Sequence, residues 1–261
     1  MSVAPPTSMT NQLLDCLPDN ERSSVVEQCE AVELAFGSVL CESDHSFRYL
    51  YFPTTCFISL VTTLGGNHPL ALGLMGNEGM LGATLVLGVN TASCRAVVQG
   101  PGAALRISTI GLHRILNNNQ ILQRTLKHYL YVQIAQLTQN AACAHFHDIE
   151  PRLARWLLMT QDRAHADHFH LTHEFLADML GVRRSGVTLA AGTLQSRRLI
   201  RYRRGDITIL DRQGLEMAAC ECYDLLLKDH ARLFPSRTPL MLPAREGSRL
   251  ESGQDETQAA P

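Results

Sequence analysis

The stretch LTHEFLADMLGVRRSGVT, residues 171–188, decides the fold of this chain. Thr172 is a good N-cap, and Glu174 sits in the first turn, where the helix dipole favours negative charge. Phe175, Leu176, Met179 and Leu180 then form an apolar stripe at helical spacing. Gly181 supplies the left-handed residue that ends a helix. A second helix is expected over residues 183–195, with Val187, Leu189, Ala190 and Leu194 facing inward. Two short helices joined by a tight glycine turn make a helix-turn-helix.

Downstream, residues 201–210 read RYRRGDITIL. Two short alternating runs flank a Gly-containing turn, the pattern of a β-hairpin. A hairpin directly after the second helix turns the unit into a winged helix. Asp211 caps a last helix that carries Leu215, Met217, Tyr223, Leu225 and Leu226. Beyond Phe234 the chain is rich in Pro, Ser, Gly and Glu, and residues 235–261 are expected to form a disordered tail.

Charge sets this unit apart. Residues 183–204 hold seven arginines (183, 184, 197, 198, 201, 203 and 204) and no acid, whereas residues 15–50 hold eight acids against Arg22 and Arg48. The net charge of −2 averages over this asymmetry. A planar guanidinium can chelate a phosphate or a base edge through two bonds, which an ammonium cannot. Arg183, Arg184, Ser185 and Thr188, at the start of the second helix, have the reach for a major groove. Arg197, Arg201, Arg203 and Arg204 are placed for phosphate contacts, which supply affinity but little sequence choice. Double-stranded DNA is the expected partner.

Upstream, Asp148 caps a helix with Pro151 in its first turn and Leu153, Trp156, Leu157 and Leu158 on its apolar side. Residues 120–145 contain neither Pro nor Gly and permit a helix of some seven turns. Leu122, Leu126, Tyr129, Leu130, Ile134, Leu137, Ala141 and Ala144 form its seam, the last five at coiled-coil steps of 4, 3, 4 and 3. This reads as a dimerisation helix. Ser108 or Thr109 caps a shorter helix before it. Residues 32–107 have a different texture, with candidate strands at 32–36, 39–41, 48–52, 57–64, 70–75, 96–99 and 103–107 separated by Gly, Pro and Asn turns. Many short strands at close spacing predict a β-barrel or roll. Leu13, Leu14, Leu17, Val25 and Val26 mark a helix at the N-terminal end, with Pro18 in its first turn.

The order of β-roll, long helix and winged helix resembles the Crp/Fnr (cyclic-AMP receptor / fumarate-nitrate regulator) family of bacterial transcription regulators, most specifically over residues 171–210. The resemblance implies an α+β chain with a cyclic-nucleotide-binding-like sensor β-roll (jelly-roll) at 13–116, a dimerisation helix at 117–147 and a winged helix-turn-helix DNA-binding domain at 148–234. It also implies a homodimer on DNA, contact with RNA polymerase, and Arg184 as the base-reading arginine. Ser185 stands where many members carry Glu. Cyclic-nucleotide binders in that family use a Gly-Glu-Leu stretch for the ribose and an Arg-Ser/Thr-Ala triplet for the phosphate. The matching segments here are Gly82-Ala83-Thr84 and Cys94-Arg95-Ala96, a degenerate ligand pocket. Arg95 could replace the lost arginine only by a one-residue slip, which on a strand reverses its face. A cyclic-AMP site is therefore not expected, and no effector is identified.

The eight cysteines include no C-x-x-C pair and read as small apolar residues, apart from the C-x-C at 220 and 222. No cofactor and no metal are expected. Only Cys16 and Cys29 lie early, which disfavours an iron–sulfur branch. Six of eleven histidines lie within residues 145–173, and the spacing of His165, His168, His170 and His173 could hold a metal or make a pH-responsive hinge. Exposed loop histidines are the plainer reading. The alternatives are therefore a ligand-gated or metal-responsive regulator using that hinge, or a cupin-like metalloenzyme. The latter needs an H-x-H inside the barrel, and both such pairs fall outside it, so no enzyme is expected. Neither an export signal nor a membrane span can be drawn, so a cytoplasmic location is expected.

Overall fold

The computed structural model describes residues 10–63, 65 and 69–235. Leu64 and Gly66, the end of one expected strand and part of its turn, lie outside the described residues, as does the expected tail from residue 236 onward.

Two short helices, α1 (Gln12–Asp15) and α2 (Asp19–Val26), precede the strands. Seven strands follow: β1 (Glu30–Leu34), β2 (Val39–Cys41), β3 (Tyr49–Pro53), β4 (Phe57–Thr62), β5 (Leu70–Met75), β6 (Arg95–Gly100) and β7 (Gly102–Ser108). They form two antiparallel sheets, β1-β7-β3 and β2-β6-β4-β5. Closing two sheets on each other is how a set of short strands buries its apolar faces. Leu50, Phe52, Ile58, Ala96 and Ile107 fill the space between them, with Leu13, Leu14 and Leu17 of the N-terminal segment.

Helix α3 (Thr109–Asn118) follows, capped by Ser108, whose hydroxyl accepts from the Gly111 N–H. Asn119 then starts the long helix α4 (Gln120–Phe146), its side-chain oxygen accepting from the Leu122 N–H at 2.7 Å. The seam expected on α4 divides in two. Leu122, Leu126, Tyr129 and Leu130 are buried in the core of the roll. Those four side chains are therefore occupied within the chain, because the first turns of α4 lie across the roll. Only the later part faces solvent, with Ile134 62% and Leu137 46% exposed and Ala141 and Ala144 also open.

The C-terminal part consists of α5 (Ile149–Ala164), β8 (His168–His170), α6 (His173–Leu180), α7 (Arg184–Ser196), β9 (Ile200–Arg203), β10 (Asp206–Ile209), α8 (Arg212–Ala218) and α9 (Cys222–Leu233). Its three strands run in the order β8-β10-β9. Two expectations change here. The His-rich connection is a strand, since alternation of His168, Phe169 and His170 turns the one apolar residue toward the core. The single last helix is two helices, because Ala219 adopts extended backbone and breaks it.

This part has its own core of Leu153, Leu157, Leu158, Leu176, Val187, Leu194, Ile207 and Leu215, and that core also takes in Phe57 and Leu74 from the roll. A buried ion pair crosses the same junction. Glu78 Oε1 lies 2.6 Å from Arg163 Nη2, with the two side chains 18% and 5% exposed. Glu78 Oε2 also accepts from the Gly76 N–H at 3.1 Å, and Arg163 Nη1 donates to the Met159 carbonyl at 3.0 Å. Gly76 is required by this close approach, since a Cβ there would meet both Arg163 Cγ and Glu78 Oε2 at 2.8 Å.

Burial alone would raise the Glu78 carboxyl, but the Arg163 charge and the backbone donors outweigh it and hold the group below the ordinary carboxylate range. Removing one partner of a buried pair strands the other charge at a cost of about 3–5 kcal/mol. Glu78→Ala is therefore expected to lower the unfolding free energy obtained from urea titration by an amount in that range. Because the folded pKa is depressed, the pair's contribution is present above the unfolded value of about 4.3 and is lost as pH falls through the folded one. Unfolding followed between pH 7 and 3 should show an acid-dependent loss in the native chain that is smaller in Glu78→Ala.

Candidate nucleic-acid interface

The helix-turn-helix is built from local signals that act as the sequence suggests. Thr172 Oγ1 accepts from the Phe175 N–H at 3.2 Å and starts α6. Gly181 ends it at φ +63°, a left-handed conformation that a Cβ would strain. The Val182 N–H returns to the Ala177 carbonyl and fixes the turn. Helix α7 then crosses over α5, burying Val187, Ala190, Ala191 and Leu194.

Leu189 corrects the expected burial pattern. It is 75% exposed, because the buried stripe of Val187, Ala190, Ala191 and Leu194 follows i, i+3, i+4, i+7 spacing and leaves Leu189 on the opposite side of the helix. The outward face of α7 carries Ser185, Thr188, Leu189, Gly192, Thr193 and Ser196, which line a shallow open hollow. Arg183, the N-cap residue, and Arg184 stand exposed at its leading end. A face of small residues with one protruding leucine can approach base edges closely, and an apolar side chain there suits a thymine methyl.

The wing is a two-residue hairpin. Arg204 and Gly205 both have positive φ, +53° and +93°, as a type I′ turn requires. Arg201, Arg203 and Arg204 are exposed on it. Arg197 differs from them, since its guanidinium is 2.9 Å from Glu150 Oε1 of α5 and is held against the protein.

Three residues absent from the expected site tie the wing to α7. Gln195 Oε1 accepts from the Tyr202 N–H at 2.7 Å. The His173 ring stacks on Tyr202 at 4.0 Å between centroids, and its Nδ1 lies 3.0 Å from Thr188 Oγ1. Burial and the nearby Arg184 charge lower the His173 pKa, so the ring is neutral near pH 7. Thr188, expected to reach DNA directly, is thus engaged from the side by His173 and donates to the Arg184 carbonyl at 3.0 Å. Residue spacing could not have shown this, because the contacts join α6, α7 and β9 across a turn.

The histidine group is not gathered as a metal site. His168 Nδ1 pairs with Thr208 Oγ1 at 3.3 Å and His170 Nδ1 with Asp206 Oδ1 at 2.9 Å across the sheet, while His173 faces α7. In the roll, Gly82 opens a short 3-10 turn at Ala83–Leu87. Ala83 is buried and Cys94 half-buried, and the Arg95 guanidinium lies 3.3 Å from Glu42 on the outer surface. Ala83 and Cys94 thus present neither a carboxylate nor a guanidinium at these positions.

A β-roll, a long helix and a winged helix-turn-helix with an exposed basic edge make up the fold. Residues 151–218 match the family model of the Crp-like helix-turn-helix domain. Similar solved structures are Crp/Fnr regulators. A Crp/Fnr-family transcriptional regulator from Thermus thermophilus is 21% identical, with a TM-score of 0.61 over 73% of this chain and 98% of that one. The c-di-GMP-responsive global regulator CLP of Xanthomonas campestris is 14% identical, with a TM-score of 0.61 over 74% and 99%. FixK2 of Bradyrhizobium japonicum is 13% identical, with a TM-score of 0.60 over 74% and 98%. No curated protein matches the sequence. The chain carries a Crp-like helix-turn-helix domain on the fold of the Crp/Fnr transcription regulators. Among the described residues no helix is long and apolar enough to cross a membrane.

The burial contrast on α7 is directly measurable. Leu194→Ala should cost about 2–5 kcal/mol through the cavity it leaves. Leu189→Ala should change folding stability by no more than about 0.5 kcal/mol. Urea unfolding of the two variants checks the assignment of the outward face.

Proposed function

We propose that this chain is a homodimeric, sequence-specific DNA-binding transcription regulator whose β-roll does not bind cyclic AMP. The observation that carries the reading is the exposed leading end of α7, with Arg183, Arg184 and Ser185 beside a small-residue face and with Arg201, Arg203 and Arg204 flanking it on the wing. Arg184 reads a base edge, and the wing arginines neutralise phosphates. Thr188 acts through its contact with His173, holding the helix against its support.

The second chain docks on the open part of α4. Ile134, Leu137, Ala141 and Ala144 repeat at steps of 3, 4 and 3 on the side that the roll leaves free. Pairing there sets two α7 helices about one DNA turn, roughly 34 Å, apart on a pseudo-palindromic site. Contact with RNA polymerase and a cytoplasmic location accompany this role. An effector, whatever its chemistry, acts by biasing the relative pose of the two winged helices.

Binding-site selection from random duplex, with and without a cyclic-nucleotide panel, tests the reading; no enrichment of a two-fold site would overturn it. Arg184→Ala should relax preference at one position per half-site, a loss of about 1–3 kcal/mol in discrimination. Arg203→Ala should weaken all duplexes evenly and reduce the salt slope by about 1. Leu137→Glu should shift the protein to monomer in sedimentation and lower operator affinity, while leaving the circular dichroism of the chain unchanged.

A further inference from the structure

The far end of α4 holds a cluster that the DNA-facing surface does not use. Cys143 lies in the last turn of the helix and His147 is its C-cap one turn later, so both project from the same side of the helix end. The break between α8 and α9 brings Cys220 and Cys222 to them. The three sulfurs and a ring nitrogen of His147 all lie within 4.8 Å of one another. Cys143 Sγ is 3.6 Å from Cys220 Sγ, and Cys222 Sγ is 3.4 Å from His147 Nδ1. All three cysteines are buried.

We propose that Cys143, His147, Cys220 and Cys222 form a closed, four-coordinate zinc site that clips the end of the long helix to the turn between α8 and α9. Zn–S bonds of about 2.3 Å and Zn–N bonds of about 2.0–2.1 Å place neighbouring ligand atoms of a tetrahedron roughly 3.5–3.8 Å apart. The observed 3.6 and 3.4 Å separations match that spacing and are far from a covalent S–S bond of about 2.05 Å. The small span admits one ion and leaves no room for a polynuclear iron–sulfide core.

The surroundings are those of a metal site. With Nδ1 turned to the sulfurs, His147 Nε2 lies 3.2 Å from Glu221 Oε1, the carboxylate–histidine relay that orients a ligating imidazole. The Gln139 amide donates to Cys222 Sγ at 2.9 Å, as donors do to bound thiolates. Three thiolates and one Zn²⁺ leave a charge of −1, and the buried Arg155 guanidinium beside Cys143 supplies the opposite charge. On binding, each thiol releases its proton to solvent and gives a sulfur lone pair to the ion, with no change of oxidation state.

The test uses the full chain purified under reducing conditions without chelator. Elemental analysis should find one zinc per chain, and Co²⁺ added to the stripped protein should give the thiolate-to-metal charge-transfer bands of a tetrahedral sulfur-rich site. Cys143→Ser and Cys220→Ser should abolish the zinc, and Glu221→Gln should weaken it about 10–100-fold. His168→Ala/His170→Ala should retain it. Where a cysteine variant does not fold, the cobalt spectrum of the unaltered chain decides by itself. Absence of zinc with no cobalt–thiolate bands, iron with sulfide in its place, or a metal-free Cys143–Cys220 disulfide under reductant would each overturn the proposal.

Discussion

One helix has to satisfy three environments, and most of the architecture follows from how it does so. Twenty-seven residues give α4 a length of about 40 Å, more than the roll can cover. Its first turns bury Leu122, Leu126, Tyr129 and Leu130 against the roll, and its last turn carries Cys143 toward α9. Between them lies the open stripe of Ile134, Leu137 and Ala141. A helix so fixed at both ends cannot rotate about its axis without breaking one core, so the direction in which the stripe faces is set by the chain itself. The Asn140 side chain adds to this by donating to the Leu72 carbonyl at 2.7 Å.

The same rigidity places the winged helix. Phe57 and Leu74 extend its core into the roll, and the Glu78–Arg163 pair closes the polar side of that junction. A buried ion pair adds little net stability compared with an apolar filling, but it penalises every pose in which one charge lacks the other. The junction is therefore selective for one relative orientation. A signal that altered the roll near Gly76 or Glu78 would reach Arg163, and so α5, without crossing any mobile connection.

Much of this was legible in the sequence because the deciding signals are local. Caps at Ser108, Thr172 and Asp211, the glycine at 181 and the turn at 204–205 each act over four residues or fewer, and each behaves as read. The strands of the roll and of the wing hairpin were legible for the same reason, since turn residues bound them. What failed was whatever depends on the partner rather than the segment. Leu122 and Ile134 look alike in a heptad, yet one meets the roll and the other meets solvent. Leu189 has the composition of a core position and the geometry of a surface one. The histidines of 168–170 are close in sequence but alternate across a strand, while Cys143 and Cys220, 77 residues apart, touch.

In the proposed dimer, the two α7 helices would have to be held in register. Helix α7 is tied to α5 through Val187 and Leu194, α5 to α8 through the Arg212–Asp162 pair at 2.8 Å, and the α8–α9 turn to α4 through the cysteine cluster. Each link joins packed elements, so a displacement at the end of α4 would be passed on toward α7. A dimer built on the neighbouring stripe would then position both reading edges from one seam. On the proposed reading, the spacing between half-sites would be a property of α4 and its two attachments, and the wing arginines would only have to follow the phosphates that this spacing presents.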